Sequence, residues 1–171
     1  MTCSALRDCG AADAFLTLTA LPLRKRNTAW KIRQAVIVAQ ETSYRFEQFK
    51  SKKDEARPTL RKLTLAITRK ADLKAAREAL AQGVAIAGGV ALARDLGNLP
   101  GNVCTPSYLA ETALQIAKEH AIECEILEQA NMEALGMHSL LAVAKGSKQP
   151  PKLIVLHYLG GQKGERPLVL V

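Results

Sequence analysis

A chain of 171 residues with 48% hydrophobic side chains can bury a core and is too apolar for intrinsic disorder. Aromatic residues make up only 4%, so aliphatic side chains and alanine must fill the interior. A formal charge of +8 permits nucleic-acid or acidic-surface binding without establishing either, and the opening "MTCSALRDCG" lacks the pattern of a secretory signal.

"AFLTLTAL" (Ala14–Leu21) alternates apolar residues with threonine and predicts a strand. A basic, prolyl turn follows in "PLRKRN". Asn27 is placed to cap a helix by accepting a bond from an orphan amide two or three residues on. The predicted helix runs from Thr28 to Lys50, with Ile32, Val36, Ala39, Ser43 and Phe46 on one stripe. Lys50, Lys52 and Lys53 at its exit suit the negative helix end. After the charged loop "SKKDEARP", "LRKLTLAI" (Leu60–Ile67) sets Leu63, Leu65 and Ile67 against Lys62, Thr64 and Ala66, a half-buried strand.

Asp72 is positioned to cap a long helix ending near Gly97, with Leu73, Ala76, Leu80, Val84, Ala87 and Ala91 along one face. Gly83, Gly88 and Gly89 each cost a helix about 1 kcal/mol against alanine. They point to close backbone approach and to packing on several sides. Gly97 is placed to end the helix in a left-handed conformation. The most apolar run, Val84–Ala93, is about half the length of a membrane span.

"NLPGNVC" (Asn98–Cys104) predicts a turn or extended connector, because Pro100 biases Leu99 away from helix. Thr105 is a natural N-cap with Pro106 in the first helical position. Leu109, Ala113, Ile116 and Ala117 form the inner face of that helix. "IECEIL" (Ile122–Leu127) reads as a strand and "NMEAL" as a short helix stopped by Gly136. "SLLAVAKGS" is open between strand and loop, "PKLIVLHYLG" is a strand, "GQKGE" a turn, and "RPLVLV" the start of a further strand. Alternation of strands and helices thus restarts after Gly97. The expected division is residues 1–71, the remainder of an N-terminal α/β domain; 72–97, a bridging helix; and 98–171, the start of a second domain. The terminal run "PLVLV" wants burial on both faces, and from it a fragment of a longer protein is expected.

Catalytic motifs are sparse. The sequence holds no H-E-x-x-H, G-x-S-x-G, phosphate loop or G-x-G-x-x-G. "AGGVALARD" lies within the long helix and is a poor phosphate cradle. His120, His138 and His157 are isolated. Glu123 and Glu125 share a strand face, read as solvated rather than paired. Asp95, beside Arg94, is expected to make local or inter-domain polar contacts. Cys104 near a helix start has no adjacent base and reads as a buried thiol. Cys3, Cys9, Cys104 and Cys124 show neither C-x-x-C nor zinc spacing, which favours reduced thiols in a cytoplasmic protein. The basic clusters Leu23–Arg26 and Lys50–Arg57 could contact phosphates, although no aromatic residues interleave with them to stack bases.

Taken in order, "WKIRQAVIVAQETSYRFEQFK", "ARDLGNLPGNVCTPSYLAETA", "LGMHSLLAVAKGS" and "RPLVLV" resemble the leucyl aminopeptidases of the cytosol aminopeptidase family, from about Ala14 onward. The resemblance implies an α/β fold: the end of an N-terminal α/β domain, a long bridging helix, and the truncated start of a mixed-sheet catalytic domain. It implies a metallo-aminopeptidase that removes N-terminal residues, leucine preferred, from peptides with free N-termini in intracellular protein turnover. It further implies a cytoplasmic homo-hexamer with two divalent ions, manganese or zinc, in each subunit. A lysine, several aspartates and a glutamate hold the ions in that family, and a second lysine and an arginine, with bicarbonate, assist. These residues begin just after a "VLVGKG" strand, which this chain matches only as far as "LVLV". On that alignment no catalytic, cofactor-binding or metal-binding residue falls within the chain. The chain by itself is then expected to bind no metal, to be inactive and to be poorly soluble. A second reading is a DNA-binding or regulatory module that uses the basic N-terminal loops. No membrane partner is expected.

Overall fold

The computed structural model describes Ala5 and residues 9–51, 60–162 and 164–171. The charged stretch 52–59, Cys3 and Lys163 lie outside the described residues, and with them the expected roles of Lys52 and Lys53. The chain divides into two compact units, Met1–Asn98 and Leu99–Val171.

In the first unit, β1 (Asp13–Leu16) pairs in parallel with β2 (Lys62–Leu65), Ala14 opposite Leu63 and Leu16 opposite Leu65. The predicted strand Ala14–Leu21 is cut short, because Leu18–Ala20 turns into a single 3-10 turn. The buried hydroxyl of Thr19 explains the break. It donates to the carbonyl of Ala66 at 2.7 Å, tying the turn to the chain just past β2.

Helix α1 (Thr28–Ser43) begins as expected, with the Asn27 side chain accepting from the Trp30 amide at 2.8 Å. It buries Ile32, Val36 and Ala39. It ends seven residues before Lys50, so Phe46 does not continue the stripe and Lys50 is no helix-end charge. Lys50 pairs with Glu47 at 3.2 Å instead. Thr42 and Ser43 both turn their hydroxyls back onto carbonyls four residues earlier, at 2.7 and 2.8 Å, a competition that weakens continuation of a helix. Tyr44 then leaves in an extended conformation.

Helix α2 (Leu73–Asn98) has the predicted extent and a different buried face. Its inner residues are Ala76, Ala79, Gly83 and Ala87, while Leu80 and Val84 are both 44% exposed. Small side chains allow α1 to approach closely. A Cβ on Gly83 would stand 3.0 Å from the Arg33 carbonyl oxygen and 3.0 Å from Val36 Cβ. Among the described residues a Cβ on Gly88 or Gly89 would meet nothing within 4 Å, so Gly83 meets the expectation of close approach and the other two do not. Gly97 lies inside the helix and does not terminate it. Asp72 closes a one-turn 3-10 helix, and its carboxylate is bound by side chains instead of capping α2. The segment Lys70–Asn98 is long and apolar enough to cross a membrane, by length and composition alone. Ile32, Ala76 and Ala79 form the core of the unit, with Ala29, Leu65 and Ile67 packed against them.

In the second unit, helix α3 (Pro106–His120) follows a turn in which the amides of Val103 and Cys104 both donate to the Pro100 carbonyl. Thr105 caps it as predicted, accepting from the Tyr108 amide at 3.3 Å. Its buried face is Ala110, Ala113 and Ala117, with Ile116 half-buried; Leu109, expected inside, is exposed. Ala121 ends the helix with φ 52. Strand β3 (Glu123–Leu127) pairs antiparallel with β4 (Leu153–His157), and α3 packs on both. Two short helices lie between them, α4 (Gln129–Ala134) and α5 (His138–Ala144). Helix α4 stops at Gly136, φ 70, as the sequence indicates. Helix α5 replaces the strand or loop expected for "SLLAVAKGS"; it buries Leu141 and packs against α4, in which Met132 is wholly buried. Residues 165–171 form no strand, and Leu168–Val171 are exposed. A strand forms only against a neighbouring ladder, and no described strand lies beside this run.

Candidate functional site

Two polar constellations stand out in the first unit. One joins the ends of α1 and α2. The Tyr44 hydroxyl donates to Asp95 Oδ1 at 2.6 Å and accepts from Asn98 Nδ2 at 3.1 Å. The Arg94 guanidinium covers the Tyr44 ring at 3.9 Å and reaches the Glu41 carbonyl at 3.4 Å. Burial against its neighbours, and then the bond to Asp95, push the Tyr44 phenol up from its ordinary pKa. Arg94 and Asp95, expected to make local or inter-domain contacts, thus meet residues of their own unit that are distant in sequence.

The other constellation surrounds a cavity of about 470 Å³ at the start of α1, lined by Arg26, Lys31, Arg69 and Asp72 among others. The Thr28 hydroxyl donates to Asp72 Oδ2 at 2.8 Å, and Arg69 grips both carboxylate oxygens, at 2.8 and 3.2 Å. The hydrogen bond from Arg69, then that from Thr28, hold the Asp72 carboxyl below the usual range, and the charge of Lys31 adds to the effect. Arg26 lies over the Trp30 ring at 4.5 Å, and the Lys31 ammonium donates to the Leu21 carbonyl at 2.8 Å. Of the sequence's basic clusters, Leu23–Arg26 thus forms an exposed turn at this cavity, closed by a Leu23–Arg26 bridge.

The remaining candidate residues are scattered. His120 ends α3, His138 begins α5, and His157 lies opposite Glu123 in the β3–β4 register. All three histidines are exposed, as are Glu123 and Glu125 on the outer face of β3. Cys104 and Cys124 are half-buried free thiols, so Cys104 is less enclosed than expected. "AGGVALARD" runs through the interior of α2 and offers no cradle. Among the described residues no group of three or more His, Cys, Asp or Glu side chains could hold a metal ion. The Tyr44 and Thr28 contacts went unread in the sequence, since partners 44 to 54 residues away leave no local trace. The Arg69–Asp72 pair did leave one, its spacing of three.

The two units match successive parts of one kind of enzyme. Residues 1–53 match the profile of the cytosol aminopeptidase family N-terminal domain, and residues 91–171 match that family's catalytic domain. A probable cytosol aminopeptidase of Dechloromonas aromatica is 57% identical over 166 residues, which cover 97% of this chain and 33% of the relative. Another from Nitrosospira multiformis is 51% identical, over 98% of this chain and 33% of the relative. The chain therefore spans about a third of the length of the curated relatives it matches. The bottromycin maturation enzyme BotP, solved in complex with Mn, superposes with a TM-score of 0.75 at 27% identity, covering 91% of this chain and 31% of that one. A tomato leucine aminopeptidase mutant shares the fold, with a TM-score of 0.78 at 23% identity, over 91% of this chain and 31% of its own.

The fold is α/β, and the class of protein that the matched profiles define is the peptidases. The chain belongs to the cytosol aminopeptidase family. The similarity extends to the first residues, ahead of the Ala14 start that the motifs alone indicate.

Proposed function

We propose that this chain supplies an N-terminal unit and the opening of the catalytic unit of a metal-dependent aminopeptidase. The whole protein would release N-terminal residues, leucine preferentially, from peptides in cytoplasmic protein turnover, as a homo-hexamer with two manganese or zinc ions in each subunit. The observation that carries this reading is the succession of two domain matches of one family along a single chain, with 57% identity to one relative across 97% of the sequence. The Mn complex of BotP supports the metal dependence.

The described side chains do not supply the donor set that paired ions need, so no hydrolytic step is assigned to them. The chain alone is accordingly proposed to be inactive. A graft tests both halves of the proposal. The 171-residue chain replaces the matching third of the Dechloromonas aromatica relative, and the isolated chain is assayed in parallel with leucyl-p-nitroanilide and manganese. The graft is expected to turn over substrate, to lose activity to a chelator and to regain it with manganese. A folded but inert graft, or turnover by the isolated chain, overturns the reading.

The exposed turn Arg24–Lys25–Arg26 favours a second reading, a basic surface that holds DNA. Gel shifts at two salt concentrations test it: steep salt dependence agrees with phosphate contacts, and no shift at low salt removes the idea.

A further inference from the structure

We propose that the cavity at the start of α1 is a receptor for a small phosphate monoester, with Arg26 and Lys31 as the groups that bind it. This inference rests on the geometry of the first unit and stands whether or not the aminopeptidase reading holds.

The cavity, about 470 Å³, is of the size that takes a small organic ligand. Its charges do not balance. Three cations line it, Arg26, Lys31 and Arg69, against one carboxylate, Asp72. Arg69 and Asp72 neutralise each other through two hydrogen bonds. Among the described residues neither Arg26 nor Lys31 forms an ion pair.

Each cation has one contact with the rest of the chain. The guanidinium of Arg26 lies over the indole of Trp30, 4.5 Å from its centroid. Lys31 is tethered by one N–H to the Leu21 carbonyl, and an ammonium has two more to give. The field of Lys31 reaches across to Asp72, whose carboxyl it helps to hold down.

Charge matching selects the ligand. Two cations suit a dianion, and a phosphate monoester carries close to two charges at neutral pH because its second pKa is about 6. A carboxylate or a phosphodiester brings one. Pro22, Leu23 and Ala75 give the same cavity an apolar wall for a small organic body.

Titration of the 171-residue chain, followed by amide NMR shifts at constant ionic strength, tests the assignment. The probes are inorganic phosphate, acetate, chloride and a short DNA duplex. Phosphate is expected to give saturable shifts at residues 22–31 and 68–75 and to bind more tightly as pH rises through its own second ionisation. Acetate and chloride are expected to give weak, unsaturable ones. Arg26→Gln and Lys31→Gln are each expected to weaken phosphate about tenfold, with Lys118→Gln in α3 as the unaffected control. Shifts elsewhere in the chain, equal responses to chloride and phosphate, or unaltered binding by both variants would overturn the proposal. So would binding of the duplex without any binding of inorganic phosphate, which would mark a surface for nucleic-acid backbone instead. Should either variant fail to fold, the location and pH dependence of the shifts in the unaltered chain still decide the matter.

Discussion

Tyr44 and Asp95 are 51 residues apart in sequence, and their side chains meet at 2.6 Å. The contact binds the exit of α1 to the last turn of α2, and Arg94 closes over the ring from the other side. Tyr44→Phe keeps the ring and removes both hydrogen bonds, so the urea midpoint of the chain is expected to fall. The phenol is raised in the folded state, so its stabilisation is fully present below the unfolded value of about 10 and is lost as pH rises through the folded value. The gap in midpoint between the two proteins should therefore be constant at neutral pH and narrow above pH 10. A gap unchanged into that alkaline range would show that the phenolic proton plays no part.

The glycines of α2 should respond in opposite directions. Gly83→Ala drives a methyl to 3.0 Å from the Arg33 carbonyl oxygen and from Val36, and is expected to destabilise the chain by about 1–3 kcal/mol. Gly88→Ala meets nothing within 4 Å and is expected to stabilise by up to about 1 kcal/mol through helix propensity. Denaturant titration of the two variants against the parent chain measures both. Equal effects of the same sign would contradict the packing of α1 on α2.

Asp72 makes stability depend on acid. Its carboxyl is lowered in the folded state by Arg69 and then Thr28, so the stabilisation is present above the unfolded value of about 3.9 and is lost as pH falls through the folded value. Asp72→Asn is expected to lower Tm at neutral pH, and the difference from the parent should shrink on acidification below pH 4. Thermal melts across that range read the difference directly.

The two N-caps should behave as independent local contributions. Asn27→Ala and Thr105→Ala each leave a first-turn amide without its acceptor, at a cost of about 1 kcal/mol. Thr105→Ser keeps the acceptor oxygen and is expected to recover most of the loss. A Thr105→Ser variant as unstable as Thr105→Ala would remove the capping account.

A deeper change tests the core of the first unit. Ile32 is 2% exposed and packs with Ala76 and Ala79, so Ile32→Ala is expected to cost about 2–5 kcal/mol. Val38, on the outer face of the same helix, is 47% exposed, and its replacement by alanine should move the denaturation midpoint far less.

Where a feature depends on neighbours in sequence, the residues alone decided it. The caps at Asn27 and Thr105, the extent of α2, the stop at Gly136 and the family motifs rest on contacts a few residues long, or on residue identity itself. The end of α1 at Ser43, the choice of α2's alanine and glycine side as its inner face, and the helix at His138–Ala144 were decided by tertiary structure. Hydrophobicity ranks Leu80 and Val84 above Gly83, but two helix backbones can approach only where side chains are small, so packing reversed the ranking. The cavity at Arg26 and Lys31 arose in the same way, because its walls are drawn from segments some 50 residues apart and no local pattern announces such a meeting.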